Sequence, residues 1–303
     1  MAHNAKFAIQ NLFNVEGWVV VVSGGGSGIG LMITRAFANN GARVYIIGRS
    51  SPVLEQAAHE HGQSLLSPYG RIVPVMCDIT DKDSIQQTVN LIKLNESHID
   101  LLVNSSNVAK GKSDMTKGDL DPPETFAEEL WRETVEDWET VYRTNVIGDS
   151  HLRAATSSRR WRLCPSWLAR QARGHAHTPG VINITSVSGM TRTTQNHINY
   201  NVSKAAAIQL STLLAQELRR RALRIRVNNV APGLFPSEIM TDETEEVVRS
   251  TWAEPNFGKV HGVPANRPGS DEDIAQAVLM LACNQYAYGQ TLVIDGGYLL
   301  EHP

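Results

Sequence analysis

The sequence predicts one doubly wound α/β domain with a mostly parallel, seven-stranded sheet and helices on both faces. Apolar β-branched runs alternate with helical segments, as in folds built from strand, helix, strand units. The first run, residues 19–22, is four valines, which suits a strand buried on both faces. A chain of 303 residues that is 42% hydrophobic can bury the core of a single domain spanning residues 1–303.

Composition argues against several classes of partner. The net charge of -3 gives no reason to expect nucleic acid or an anionic membrane. Three cysteines far apart in the sequence, Cys77, Cys164 and Cys283, suggest neither a disulfide framework nor a metal site. No signal-peptide pattern and no apolar run long enough for a bilayer are present, so we expect a cytoplasmic protein in a reducing compartment.

A glycine-rich segment follows the first strand directly. Gly24, Gly28 and Gly30 fall at the spacing G-x-x-x-G-x-G. Glycine suits a turn that needs φ values forbidden to a Cβ and that brings the backbone close to a pyrophosphate. The helix predicted over residues 31–39 would direct its N-terminal N–H groups and dipole at that phosphate. A tight loop without a ligand is the alternative, but the flanking strand and helix favour a nucleotide cofactor.

The second strand, predicted over residues 43–47, bears on the choice of cofactor. It ends at Gly48 and Arg49, and residues 48–51 contain no acid that would bond the ribose 2′-OH of NAD. An arginine there can pair with the 2′-phosphate of NADP, so NADP(H) is favoured over NAD(H). The alternative for Arg49 is a solvated surface arginine.

The next units repeat the alternation. Asp78 follows a strand at the edge where open α/β sheets bind ligands, so it either faces the adenine or caps the following helix. We expect residues 111–129 to form a polar surface loop. The predicted elements are helices at 53–61 and 82–94 and strands at 71–76 and 99–103.

A helix predicted over residues 131–147 carries Asn145 on an apolar stripe. Asn145 is either a satisfied core amide or an active-site residue, and spacing alone does not choose. The strand at 181–185 then delivers Ser186 and Ser188, and Tyr200 and Lys204 follow four residues apart. The remaining predicted elements are helices at 205–219 and from Ser270, and strands at 225–230 and 291–294.

Five features taken together resemble the short-chain dehydrogenase/reductase family over about residues 12–300. They are the glycine turn, Asn145, the strand-end Ser186, the pair Tyr200-x-x-x-Lys204, and Pro232-Gly233. Their shared order and spacing are specific to the family, although each alone is weak. The resemblance implies a Rossmann-like fold and cofactor contacts at Ser23, Gly24, Ser27, Gly28, Ile29, Gly30, Asn104, Tyr200, Lys204, Pro232 and Gly233.

The chemistry of alcohol oxidation explains these residue types. Hydride transfer between a secondary alcohol and a nicotinamide needs an acid/base for the hydroxyl proton, and Tyr200 is the candidate. Lys204, one helical turn on, places a cation beside the phenolate and so lowers its pKa. By resemblance Lys204 also holds the nicotinamide ribose, Ser186 bonds the substrate oxygen, with Ser188 as the alternative, and Asn145 anchors a relaying water.

Two stretches depart from the family pattern. The family's Asn-Asn-Ala-Gly is Asn104-Ser105-Ser106-Asn107 here, and residues 150–179 place six arginines and Pro165 where an apolar helix is usual. Residues 150–179 are a basic excursion, an interaction surface or a frame-shifted segment, and we favour the last. We therefore expect the preceding helix to end near Ser150 and the segment to leave the core. The homodimer or homotetramer implied by the resemblance would then be lost.

The sequence thus predicts an NADP(H)-dependent oxidoreductase that interconverts a ketone and a secondary alcohol. Residues 234–269 are expected to form an apolar substrate lid, and residues 233–238 resemble reductases of β-ketoacyl or polyketide-like carbonyls. Two alternatives are a cofactor-binding regulatory protein without turnover and a tyrosine-based isomerase or dehydratase.

Overall fold

A computed structural model describes residues 4–112, 123–157, 177–220, 223–236 and 256–303. The strands are β1 Val19–Ser23, β2 Arg43–Gly48, β3 Arg71–Met76, β4 Leu101–Asn104, β5 Gly180–Ile184, β6 Arg226–Pro232 and β7 Thr291–Ile294. They form one seven-stranded sheet in the order β3-β2-β1-β4-β5-β6-β7, in which every neighbouring pair is parallel. The predicted fold class is therefore confirmed.

Helices cover both faces of the sheet. Alternate residues of β1 belong to different apolar clusters, because successive side chains of a strand point to opposite faces. The helices are α1 Ile9–Leu12, α2 Gly28–Asn39, α3 Ser51–Gly62, α4 Lys82–Asn95, α5 Pro123–Arg132, α6 Val135–Tyr142, α7 Asp149–Ser157, α8 Ile198–Leu218, α9 Phe257–His261, α10 Asp271–Cys283 and α11 Tyr298–Glu301. Val20 and Val22 pack with α2, α3 and α10, whereas Val19 and Val21 pack with α4, α7 and α8.

Most predicted bounds lie within two residues of the observed ones. Helix α8 is an exception, since it begins at Ile198 and so already carries Tyr200 and Lys204. The capped start predicted at Ser270 is confirmed, because the Ser270 N–H donates to Asp273 Oδ2 at 2.8 Å. The expected loop at residues 111–129 is wrong from Pro123 onward, where a proline at the first helical position opens α5.

The predicted end of a helix near Ser150 is also wrong. Helix α6 passes through a π-helical turn, Arg143–Gly148, into α7, which continues to Ser157. Leu152 and Arg153 are buried, with exposed fractions of 1% and 2%, so this first part of the segment lies in the core. Residues 158–176, including five of the six arginines and Pro165, lie outside the described residues.

Arg226 shows how a charge is accommodated inside this fold. It is 1% exposed, and its guanidinium donates to the carbonyls of Leu281 and Ala282 at 2.6 Å each. These carbonyls end α10, where a cation is favourable because they lack intrahelical donors. Burial lowers the pKa of Arg226 to about 10. In the described part of the chain, no helix is both long and apolar enough to cross a membrane.

Candidate active site at the carboxyl ends of the strands

The strand order reverses between β1 and β4, and a cavity opens beside their carboxyl ends. Open parallel sheets bind ligands at such a point, because the connecting loops on either side diverge there. The cavity has a volume of about 680 Å³, large enough for a sizeable small molecule. Residues that line it and were predicted to bind the cofactor are Gly24, Ser27, Gly28, Ile29, Gly30, Arg49 and Asp78.

The glycine turn is built as its spacing requires. Gly24 and Gly28 have φ values of 65° and 47°, in the left-handed region that favours glycine. A Cβ on Gly30 would overlap the carbonyl of Gly24, so only glycine lets α2 begin directly under the turn. Ser27 is the N-cap of α2, and its hydroxyl makes no capping bond within the helix. The turn therefore presents backbone N–H groups and a hydroxyl to the cavity, which suits a phosphate.

Ser23 fixes the opposite wall of the cavity. Its hydroxyl accepts hydrogen bonds from the backbone N–H groups of Ser105 and Ser106, both at 3.1 Å. This loop presses against Gly24, where a Cβ would meet the Ser106 Cα at 3.1 Å. Asn104 is fully buried and donates to Asn183 Oδ1 at 2.8 Å, so its side chain joins β4 to β5. The cavity wall there consists of Ser105, Ser106, Asn107 and Val108.

Arg49 and Asp78 follow β2 and β3 and line the cavity. Arg49 is exposed and makes no hydrogen bond or ion pair with the described residues, so its guanidinium is available to an anion. Asp78 Oδ1 accepts from the N–H and hydroxyl of Thr80, at 2.8 and 2.7 Å. Asp78 does not cap α4, since Asp81 does so through the N–H of Ser84 at 3.0 Å. Of its two predicted roles, the cap is wrong.

Pro232 and Gly233 end β6 and are not part of the cavity wall. Gly233 donates its N–H to Ile294 O at 2.8 Å, and a Cβ would lie 2.7 Å from Asp295 Cα. A side chain would therefore push β6 away from β7. Phe235 and Phe257, expected in the apolar lid, are buried in the protein core, and Ile239, Met240 and Trp252 lie outside the described residues. Phe235 and Phe257 are thus packing residues.

Asn145 joins the cavity wall to α8. Its Nδ2 donates to Val108 O and Ser203 Oγ, both at 3.0 Å, and its Oδ1 accepts from the Val108 N–H at 2.9 Å. The side chain is thus a satisfied buried amide, which confirms the first of the two alternatives, and the active-site role stays a prediction. Asn145 sits in the π-helical turn, a feature that often marks functional sites. The water-anchoring role implied by the resemblance stays a prediction.

Ser186, Tyr200 and Lys204 come together between β5 and α8. Lys204 is 2% exposed, donates from Nζ to Ile184 O at 3.2 Å, and lies 5.4 Å from the centre of the Tyr200 ring. Burial raises the pKa of Tyr200 to about 12, and a hydrogen bond with Ser186 opposes this rise. Burial lowers the pKa of Lys204, and the nearby Asp149 carboxylate raises it. The spacing of Tyr200 and Lys204 thus places a cation beside a phenol. The expected lowering of the Tyr200 pKa by Lys204 is not observed, because burial dominates and raises that pKa.

Asp149 is a charged neighbour that the sequence reasoning missed. It is 6% exposed, and its Oδ1 has no hydrogen-bond partner among the described residues. Burial raises the Asp149 pKa, while the charges of Arg153 and Lys204 lower it. The available signal was an acid one helical turn after Asn145, on the same stripe of the helix. Among the described residues, no group of three or more histidine, cysteine or acidic side chains could hold a metal ion.

Comparison with known proteins agrees with this geometry. The family model described as short chain dehydrogenase matches residues 18–247. The short-chain dehydrogenase/reductase PhomF of Diaporthe leptostromiformis is 32% identical over 97% of this chain and 95% of its own length. The 3-oxoacyl-[acyl-carrier-protein] reductase FabG of Thermotoga maritima is 29% identical over 94% of this chain and 99% of its own.

A solved structure shares the architecture as well as part of the sequence. The Pseudomonas aeruginosa RhlG/NADP active-site complex superposes with a TM-score of 0.73 at 27% identity, over 95% of this chain and 98% of that one. The tightly packed glycine turn fits a dinucleotide phosphate group, and so does Arg49, which lines the cavity and makes no ion pair with the described residues. The residues present therefore suit a nicotinamide cofactor.

Proposed function

Since the chain belongs to the short-chain dehydrogenase family and is an oxidoreductase, we propose that it uses NADP(H) to interconvert a ketone and a secondary alcohol. The observation that carries the proposal is the buried Lys204 ammonium beside the Tyr200 phenol, with Ser186 against the same phenol. A cation and a hydroxyl group beside one phenol suit that phenol to proton transfer. A purely structural role would not need all three groups.

The protonated phenol of Tyr200 is the form that ketone reduction requires. A pKa of about 12 keeps the phenol protonated near neutral pH, so it is ready to donate to a developing alkoxide. The nicotinamide supplies the hydride to the carbonyl carbon when it is bound. Lys204 stabilises the phenolate that remains, and the hydroxyl of Ser186 polarises the carbonyl oxygen. Alcohol oxidation uses the same groups in the opposite order.

NADP(H) is proposed over NAD(H) because of Arg49. It follows β2, its guanidinium is exposed at the cavity, and it makes no ion pair with the described residues that would occupy it. A 2′-phosphate gains a charge-assisted bond from such a group that a 2′-hydroxyl cannot match. The name of the RhlG complex, which contains NADP, agrees with this proposal.

A lipophilic or polyketide-like carbonyl is the proposed substrate class. This step is supported by the relatives, since FabG is named for its action on a 3-oxoacyl group and PhomF is also a short-chain dehydrogenase/reductase. The buried Phe235 and Phe257 do not contribute to it, because they pack in the core.

The proposal is tested with the purified full chain by following NADPH absorbance against ketones and β-ketoacyl thioesters. Tyr200→Phe should lower kcat at least about a hundredfold while NADPH affinity stays within twofold. The substitution removes the hydroxyl group that carries the transferred proton and leaves the packing of the ring almost unchanged. Tyr142→Phe is the matched control, a partly buried tyrosine outside the site. NADPH binding without turnover across the panel would indicate a regulatory protein. A product without net redox change would indicate an isomerase or dehydratase.

A further inference from the structure

A chain of side-chain hydrogen bonds leads from Ser186 to Tyr298 on α11. Ser186 Oγ donates to Ser188 Oγ at 3.0 Å, and Ser188 Oγ donates to Gln195 Oε1 at 2.6 Å. Gln195 Nε2 then donates to the phenol oxygen of Tyr298 at 2.8 Å. Proton transfer at Tyr200 involves neither Gln195 nor Tyr298, so this connection is not explained by the mechanism itself.

The backbone of this loop is held in an uncommon conformation. Gln195 and the following Asn196 have φ values of 50° and 61°, although neither is glycine. Two successive side-chain-bearing residues in the left-handed region persist only where surrounding contacts hold them, and such outliers are enriched at functional sites. The amide of Gln195 supplies two of those contacts, since Oε1 accepts from Ser188 and Nε2 donates to Tyr298.

The last six residues hold the other side of the loop. Tyr298 is 6% exposed and stacks on His302, with 4.2 Å between ring centres. The hydroxyl of Thr191 donates to His302 O at 2.8 Å, and the Arg192 N–H donates to Pro303 O at 3.1 Å. The segment Tyr298–Pro303, here called the C-terminal clasp, therefore fixes the loop that follows the candidate serines.

The side-chain amide of Gln195 fixes the direction in which the Ser188 hydroxyl donates. A serine hydroxyl has one proton, and that of Ser188 is committed to Gln195 Oε1. Ser188 can therefore only accept from Ser186, whose oxygen is fixed further because it accepts the Ser188 N–H at 3.1 Å. The Ser186 proton can then turn from Ser188 to a substrate oxygen by rotation about the Cβ–Oγ bond, while the contact with the Ser188 N–H keeps the Oγ atom in place.

We propose that Gln195 is a positioning residue that sets the donor direction of Ser188 and Ser186, and that the C-terminal clasp is part of the active site through Tyr298. This inference rests on the proposed ketone reduction. It assigns a role to two residues 103 positions apart in sequence, joined by one hydrogen bond.

The test compares kcat, KM and NADPH affinity in the full-length chain. Gln195→Leu should lower kcat about tenfold or more with NADPH affinity within twofold, because the serine loses its orientation and the cofactor cavity is untouched. Gln195→Glu keeps an acceptor for Ser188 and should restore most of kcat. Tyr298→Phe removes only the hydrogen bond between Gln195 and Tyr298 and should lower kcat about threefold. Gln209→Leu, the same change at an exposed site on α8, is the control. Equal kcat for Gln195→Leu and Gln209→Leu would overturn the proposal.

Two further outcomes are separated by amide hydrogen exchange of residues 186–197. If the wild type turns over no carbonyl, the proposed function fails, and the positioning role is judged by exchange alone. Faster exchange in Tyr298→Phe and Gln195→Leu supports the role, and unchanged exchange in both overturns it. If Gln195→Leu does not fold, kcat and amide hydrogen exchange are measured on Tyr298→Phe, and these two measurements decide.

Discussion

Gly30→Ala is expected to disable cofactor binding because the new Cβ has no space. The added atom would lie 2.7 Å from the carbonyl carbon of Gly24 and 3.2 Å from the Cα of Gly25, both backbone atoms. An ordinary carbon–carbon contact is about 3.5 Å, so the glycine turn must move by about 0.8 Å. A displacement near 1 Å at a binding site costs on the order of 100-fold, and overpacking costs about 1–3 kcal/mol of stability.

The assay is a fluorescence titration of NADPH together with a thermal melt. We expect Gly30→Ala to weaken NADPH at least tenfold and to lower the melting temperature by several degrees. Gly26→Ala should lose less, because its Cβ meets the side-chain ends of Leu54 and Val53 at 3.2 Å. Gly62→Ala meets nothing within 4 Å at the end of α3 and should be neutral or slightly stabilising. NADPH affinity within twofold of wild type in Gly30→Ala would refute the steric argument.

The remaining predictions concern charge. Arg49→Ala should weaken NADPH about tenfold or more, since a charge-assisted bond of roughly 1.5–3 kcal/mol is lost, and should leave NADH affinity unchanged; equal losses in the two titrations would make Arg49 structural. Asp149→Asn removes the carboxylate that raises the Lys204 pKa, so Lys204 loses its proton at lower pH. The alkaline limb of kcat/KM for ketone reduction should therefore move about one pH unit downward, and an unmoved limb in the pH profile would contradict the coupling.

The sequence reasoning was most successful where a structure depends on neighbours along the chain. The valine run of β1 and the turn at Gly24 and Gly28 follow from steric limits on a few consecutive residues. The pair Tyr200 and Lys204 likewise follows from helical spacing. The same reasoning was only partly right for α8, where the apolar spacing predicts an inward face of Ala207, Leu210, Leu214 and Leu218. Ala207 is buried, whereas Leu210 and Leu214 are only half-buried.

Helix α8 shows why apolar periodicity can mislead. Its buried stripe is Ser203, Ala207, Ser211 and Ala215, spaced four residues apart. Small side chains let the helix lie close to the sheet, and Ser211 accepts a hydrogen bond from Asn183 Nδ2 at 2.6 Å. The helix packs closely on the sheet through its small side chains. Which side of the helix faces the sheet depends on the position of the sheet, which the sequence does not show.

The sequence by itself determined the alternation of strands and helices, the glycine turn and the order of the candidate catalytic residues, because each is encoded in local backbone sterics and spacing. Only the tertiary structure decided that Asp149 is buried near Lys204, that Arg226 caps α10, and that Gln195 meets Tyr298. Such contacts join residues whose separation along the chain says nothing of their distance in space. They form because parallel strands bring distant segments to one edge of the sheet. Packing, and the need of buried polar groups for hydrogen-bond partners, then determine which residues make contact there.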